Sequence, residues 1–215
     1  MADLSFTHVY QPAPGTDRRT LLLLHGIGGD ERDMLSLARL LQPTAGVLSP
    51  RGQVEDRGML RFFKRLTQTV YDLEDLPRRA AQLASFVAAA AAHYQFDARE
   101  VMAVGFAEGA IFAATVLLSW PETLAGAVLF RGDVPMMPER MPKLPGTPVL
   151  VSNGRFDRIT APEDTRHLVA LLRAAGADVT VLLHQAAHQL TQADVEQARD
   201  WLTSCGPRRN PVRTS

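Results

Sequence analysis

Runs of consecutive apolar residues recur along this chain, each too short to make a useful helix and each bounded by glycine, proline or charge. Thr20–Leu24 runs into His25-Gly26, Glu100–Val104 into Gly105, and Leu124–Phe130 into Arg131-Gly132. A run with no polar face must be covered on both sides if it is a strand, which is the condition inside a parallel sheet flanked by helices. Ser5–Tyr10, Gly46–Ser49, Pro148–Ser152 and Val179–Leu183 are further strand candidates, and Arg51–Gly58 reads as a charged, glycine-containing loop. Helical stretches alternate with these strands. Met34, Leu35, Ala38 and Leu41 share one face of Glu31–Leu41, and Asp75–His93 is alanine-rich with high intrinsic propensity. Glu108–Ser119 stops before Pro121, Pro162–Ala175 ends at Gly176, and Ala193–Thr203 follows the last strand. The expectation is an α/β chain with a mostly parallel central sheet and helices on both faces.

A length of 215 residues suits one domain, expected over residues 1–204, with the tail 205–215, ending PRRNPVRTS, disordered. The formal net charge is zero, so no general attraction to nucleic acid or to an anionic membrane is expected. Cys205 is the single cysteine; it permits no intramolecular disulfide and stands outside any metal-ligand spacing. MADLSFTHVYQPAPG lacks a basic stretch followed by an apolar run, which makes a cytoplasmic protein the default expectation.

VGFAEGA, residues 104–110, places an apolar strand before a turn and a helix after it. Gly105-Phe106-Ala107-Glu108-Gly109 has the form of the nucleophile elbow G-x-S-x-G, with alanine where the serine would stand. The turn is sharp, so the positions two before and two after its apex must be small. The bland alternative is a glycine-containing strand-to-helix connection without chemistry.

Three more pieces decide between these readings. LLLLHGIGG, residues 21–29, is a buried strand entering a glycine-rich loop, which can bring one N–H toward the elbow. The N–H groups of Ile27 and Glu108 are the candidate oxyanion donors. A phosphate loop is the rival, but the lysine of that motif is missing. Asp157, after a strand and the Asn153-Gly154 turn, is the candidate acid; Asp133 is its rival. His188, between the last strand and the last helix, is the candidate base; His184 is the alternative. His25 is expected to pack beneath its own loop. The order apex, acid, histidine is that of α/β-hydrolases.

From Leu21 to Trp201 the chain resembles the phospholipase/carboxylesterase family of α/β-hydrolases, compact serine esterases related to the acyl-protein thioesterases. The likeness rests on LHGIGGDERD, LSPRG, RFFKR, YDLEDL, VGFAEGA, LAGAVLFRG, VLVSNGRFDRI, AGADVT and HQLT, in the manner of the bacterial small-esterase branch. It implies an α/β-hydrolase fold, with the nucleophile at Ala107, the acid at Asp157, the base at His188 and oxyanion donors at Ile27 and Glu108. It also implies no cofactor and no metal. The family has serine at 107, commonly an amide side chain at 108 and frequently glycine at 187, where this chain has alanine, glutamate and alanine.

The expected activity is hydrolysis of small, short-to-medium acyl esters, inactivated here by a serine-to-alanine change. Acid, base and loop are all retained, which fits an engineered change better than natural decay. A non-catalytic small-ligand binder on the same fold and an acyl-protein thioesterase are the alternatives. Phe62, Phe63 and Phe106, with Met136 and Met137, are candidates for an apolar acyl pocket, against a plain core role. The Glu108 side chain is expected to turn away from the forming oxyanion. A small-molecule ester is the expected partner, and a homodimer is left open.

Overall fold

The computed structural model describes residues 4–67, 70–134, 137–138 and 140–205. In chain order its elements are β1 (His8–Gln11), β2 (Thr20–Leu24), α1 (Leu35–Leu41), β3 (Gly46–Pro50), β4 (Val54–Asp56), β5 (Met59–Arg61), α2 (Asp75–Tyr94), β6 (Val101–Phe106), α3 (Glu108–Ser119), β7 (Gly126–Phe130), β8 (Pro148–Gly154), α4 (Pro162–Ala174), β9 (Asp178–His184) and α5 (Gln192–Ser204). Seven strands form one sheet in the order β1-β3-β2-β6-β7-β8-β9. Only β1 runs antiparallel to its neighbour, so the expected mostly parallel sheet is present.

Strand alternation sends side chains to two cores. Leu22 and Leu24 of β2, Ala103 of β6 and Leu129 of β7 pack into the core that holds α2, α3 and α4. Leu21, Leu23, Val104 and Phe130 face the other core, with Ala38 and Leu41 of α1 and Ala198 and Leu202 of α5. The helix α3 is buried along nearly all its length, which explains its apolar residues on every side. It lies between the sheet and α2.

Two expectations are corrected. The helix predicted over Glu31–Leu41 begins only at Leu35. Asp30 and Asp33 bond the backbone of their own turn, and the Glu31 carboxylate is taken by Arg51, so local polar contacts override the helical spacing there. The predicted loop Arg51–Gly58 instead contains half of a hairpin, β4 paired antiparallel with β5. Arg57 and Gly58 both have positive φ, 52° and 76°, the backbone that a two-residue turn between twisted strands requires. Residues 206–215 of the expected tail lie outside the described residues. Among the described residues no helix is long and apolar enough to cross a membrane.

Candidate active site

The strand order reverses beside β2: β3 lies on one side of it and β6 on the other. Chains that leave the carboxyl ends of β2 and β6 therefore diverge to opposite faces and open a crevice between them. The loop after β2 and the turn after β6 meet there, because Leu24 and Gly105 are register partners. Ala107, at the apex, has φ 50° and ψ −113°, a strained conformation for a residue with a Cβ, costing about 1–3 kcal/mol. Its N–H donates to the Phe130 carbonyl at 2.9 Å, and its own carbonyl accepts from the N–H groups of Ala110 and Ile111 to open α3. Gly109 touches the end of β2, where a Cβ would collide with the Leu24 carbonyl oxygen; a Cβ on Gly105 would lie 2.6 Å from the Ala110 Cα. Both glycines are thus fixed by close approach of backbone.

The Glu108 N–H is the first of α3 and donates to no protein acceptor among the described residues; the same holds for the Ile27 N–H. The loop around Ile27 is held by Gly28 N–H to the Leu60 carbonyl at 2.8 Å and Gly29 N–H to the Gly26 carbonyl at 3.1 Å. His25 lies buried beneath it. Its Nδ1 is 2.7 Å from the Gly26 carbonyl and its Nε2 accepts from the Gly52 N–H at 2.9 Å, which fixes the tautomer with the proton on Nδ1. Burial pushes its pKa below the ordinary histidine value and keeps the ring neutral.

His188 and Asp157 come together from different loops. His188 Nδ1 lies 2.8 Å from Asp157 Oδ2, and since a carboxylate only accepts, Nδ1 carries the proton. The other oxygen, Oδ1, accepts from the N–H groups of Ile159 at 2.8 Å and Thr160 at 3.0 Å. Asp157 is buried, while the imidazole remains partly open to solvent. The two loops are stitched backbone to backbone: Arg155 N–H donates to the His184 carbonyl at 2.8 Å and Phe156 N–H to the Ala186 carbonyl at 3.0 Å. The rivals stand elsewhere. His184 Nε2 is 3.3 Å from Asp194, and the Asp133 carboxylate folds onto the N–H of Val134 with its pKa raised by burial.

Phe106 leads into the apex with its ring 5.5 Å from the His188 ring. It also lines a pocket of about 310 Å³ with His25, Ile27, Met34, Leu37 and Leu190, and Asp33 at its edge. Phe62 and Phe63, expected in an acyl pocket, are core residues instead: both are buried, and Phe62 stacks on Phe112 at 5.1 Å. The physical reason is that they follow β5 directly and drop onto the buried face of α3. Met137 is exposed, and Met136 lies outside the described residues.

The Glu108 side chain points into a buried ionic cluster. Its carboxylate accepts from Arg61 Nη1 at 3.1 Å and from the Phe62 N–H at 3.1 Å, with Arg65 Nε 3.6 Å away. Burial raises its pKa, opposed by the N–H and the two guanidinium groups. Sequence reasoning missed these partners, and it missed Arg131 and Asp194, which join beneath the His188 loop at 2.7 and 2.8 Å. A charge ending an apolar strand in VLFRG and the spacing of Thr191 and Asp194 at the start of a helix were the available signals. Among the described residues no cluster of three or more His, Cys, Asp or Glu is arranged to hold a metal ion.

The arrangement provides a hydrogen-bonded imidazole–carboxylate pair near the elbow and two N–H groups without a protein acceptor among the described residues. It lies on a chain whose residues 61–201 match the model of the dienelactone hydrolase family. The chain is 42% identical over 194 residues to the putative hydrolase MhqD of Bacillus subtilis (strain 168), covering 90% of this chain and 96% of that protein. It superposes on the Bacillus cereus carboxylesterase with a TM-score of 0.91 at 39% identity, covering 94% and 95% of the two chains. A carboxylesterase from Mesorhizobium loti superposes with a TM-score of 0.89 at 27% identity, covering 95% and 98%. The match to the family model and the likeness to these relatives agree with the α/β-hydrolase fold expected from the sequence. The chain belongs to the dienelactone hydrolase family, within the α/β-hydrolases.

Proposed function

We propose that this protein is a serine carboxylesterase scaffold for small esters, of the small bacterial esterase type, with its nucleophile position occupied by Ala107. The 2.8 Å contact between His188 Nδ1 and Asp157 Oδ2 beside the elbow carries this reading. With a hydroxyl at position 107, His188 Nε2 takes its proton as the oxygen attacks the ester carbonyl. Asp157 holds the ring in that tautomer and stabilises the imidazolium. The N–H groups of Ile27 and Glu108 receive the developing oxyanion. The imidazolium then gives its proton to the leaving alcohol, and water, activated by the same histidine, releases the acid. The pocket between Phe106, Met34, Leu37 and Leu190 accepts an apolar group of the ester.

As it stands, the chain binds such an ester and scarcely turns it over. Loss of this nucleophile costs about 10⁶-fold in kcat and leaves roughly 10³–10⁴-fold over water. Retention of the acid, the base and the loop supports a single serine-to-alanine change rather than general erosion of the site. Ala107→Ser is expected to produce rapid hydrolysis of p-nitrophenyl acetate, with an acyl-enzyme detectable by mass spectrometry.

A second reading, a non-catalytic binder of a small apolar ligand, is favoured by Ala107 itself. Under it, the restored serine gives no acyl-enzyme and no rise in rate. Comparison of the p-nitrophenyl ester with an S-acylated peptide separates a small-molecule esterase from a protein thioesterase.

A further inference from the structure

We propose that Arg131 is a positioning residue that sets the spacing of His188 and Asp157 from a single point beneath both loops. This rests on the reading of His188 as the general base. Arg131 directly follows β7 and is fully buried, with a φ of 56° that a residue bearing a Cβ rarely adopts. Its guanidinium reaches the His188 loop on both sides of the histidine: Nε donates to the Ala187 carbonyl at 3.2 Å and Nη2 to the Gln189 carbonyl at 2.7 Å. Nη1 donates to the Ser152 carbonyl at 3.0 Å in β8, the strand that leads to Asp157.

The charge is balanced by Asp194, which is equally buried. Its two oxygens take Nη1 at 2.8 Å and Nη2 at 2.7 Å, the Ser152 hydroxyl at 2.6 Å and the Thr191 hydroxyl at 2.7 Å. The main chain of Arg131 completes the connection. Its N–H donates to the Ser152 carbonyl at 2.9 Å, and its carbonyl accepts from the Thr160 hydroxyl at 3.1 Å. The Thr160 N–H in turn holds Asp157 Oδ1. One residue therefore bonds the carbonyls flanking the base and the loop that presents the acid. Only a guanidinium has donors in a planar fork able to serve both carbonyls and a carboxylate together; an ammonium would keep the charge and lose the fork.

Arg131→Lys separates positioning from charge balance. Two measurements are made: kcat and KM for p-nitrophenyl acetate in the Ala107→Ser background, and the low-field NMR signal of the His188 Nδ1 proton in the chain with Ala107 retained. The lysine variant should lose about 10²-fold in kcat, the effect of displacing a reacting group by an ångström. Its KM should change far less than kcat, because Arg131 itself lines no part of the substrate pocket. The Nδ1 proton should be lost to exchange. Thr160→Val, which removes only the hydroxyl under the acid loop, should show the same losses more weakly.

A folded lysine variant with unchanged kcat and an intact Nδ1 signal overturns the proposal. If the lysine variant fails to fold, Thr160→Val decides: unchanged signal and rate overturn it, and a weakened signal supports it. If the serine-restored parent is inactive while Arg131→Lys still abolishes the Nδ1 signal, the esterase reading fails and the positioning role stands.

Discussion

Gly154, the last residue of β8, lies so close to Ala187 that a Cβ on it would collide with the Ala187 carbonyl oxygen. The end of β8, which leads to Asp157, and the His188 loop thus touch backbone to backbone. Gly154→Ala must push that loop outward, and overpacking of this kind costs about 1–3 kcal/mol. Urea unfolding is expected to show that loss, and the His188 Nδ1 proton signal should weaken with it. A midpoint equal to that of the unaltered chain would refute the contact.

Asp157→Asn in the Ala107→Ser background keeps the shape of the acid and removes its charge. The amide also favours the wrong imidazole tautomer at His188. A fall of about 10⁴-fold in kcat is expected, with the KM for p-nitrophenyl acetate little changed. Asp133→Asn, made in parallel, should leave turnover near the parent value, since Asp133 bonds its own neighbour rather than the histidine.

The Glu108 carboxylate is engaged by Arg61 and the Phe62 N–H, so in the proposed mechanism only its backbone N–H enters the chemistry. Glu108→Gln removes the negative charge shared by Arg61 and Arg65 and should lower stability by about 2 kcal/mol. Turnover of the serine-restored enzyme should change by less than about threefold, because the backbone donor remains. An acyl adduct mapped to residue 108 by mass spectrometry would contradict this division of roles.

The buried Asp194 predicts an acid limb in the stability curve. Burial pushes its carboxyl up, but the Arg131 guanidinium and the hydroxyls of Ser152 and Thr191 outweigh that and hold it well below the usual carboxylate range. Its folded pKa therefore lies below its unfolded one. Between the two values the unfolded chain binds more protons, so stability rises with pH there. The contribution is complete above the unfolded value of about 3.9 and is lost as pH falls toward the folded one. Asp194→Asn should flatten that limb in unfolding curves recorded between about pH 5 and 2, and should lower the plateau by about 3–5 kcal/mol because Arg131 is left buried without its partner.

The pocket beside Phe106 should set acyl length. Leu190→Trp narrows it and should cut kcat/KM for a p-nitrophenyl hexanoate about 10–100-fold in the serine-restored enzyme, while the acetate is little affected. Equal losses on both esters would place the acyl group elsewhere.

Much of this protein is encoded locally. The apolar runs at Thr20–Leu24 and Val101–Phe106 require cover on two faces, and Gly105 and Gly109 announce a backbone approach that the turn cannot make otherwise. The loop positions of Asp157 and His188 after successive strands follow from the same pattern, since β8 and β9 are neighbours in a parallel sheet. The roles of Phe62 and Phe63 could not be read this way: an aromatic pair after a charged loop fits a pocket and a core equally well, and only the position of α3 makes them core. The partners of Glu108 lie 46 and 47 residues away, and Arg131 meets Asp194 across 63 residues. Hydrophobic period and turn chemistry are properties of neighbouring residues, so the sequence alone determined the strands of the main sheet, the longer helices and the elbow, while the β4–β5 hairpin and the start of α1 depended on contacts it did not show. The pairing of buried charges depends on which chain segments the finished sheet brings together, and so only the tertiary structure decided it.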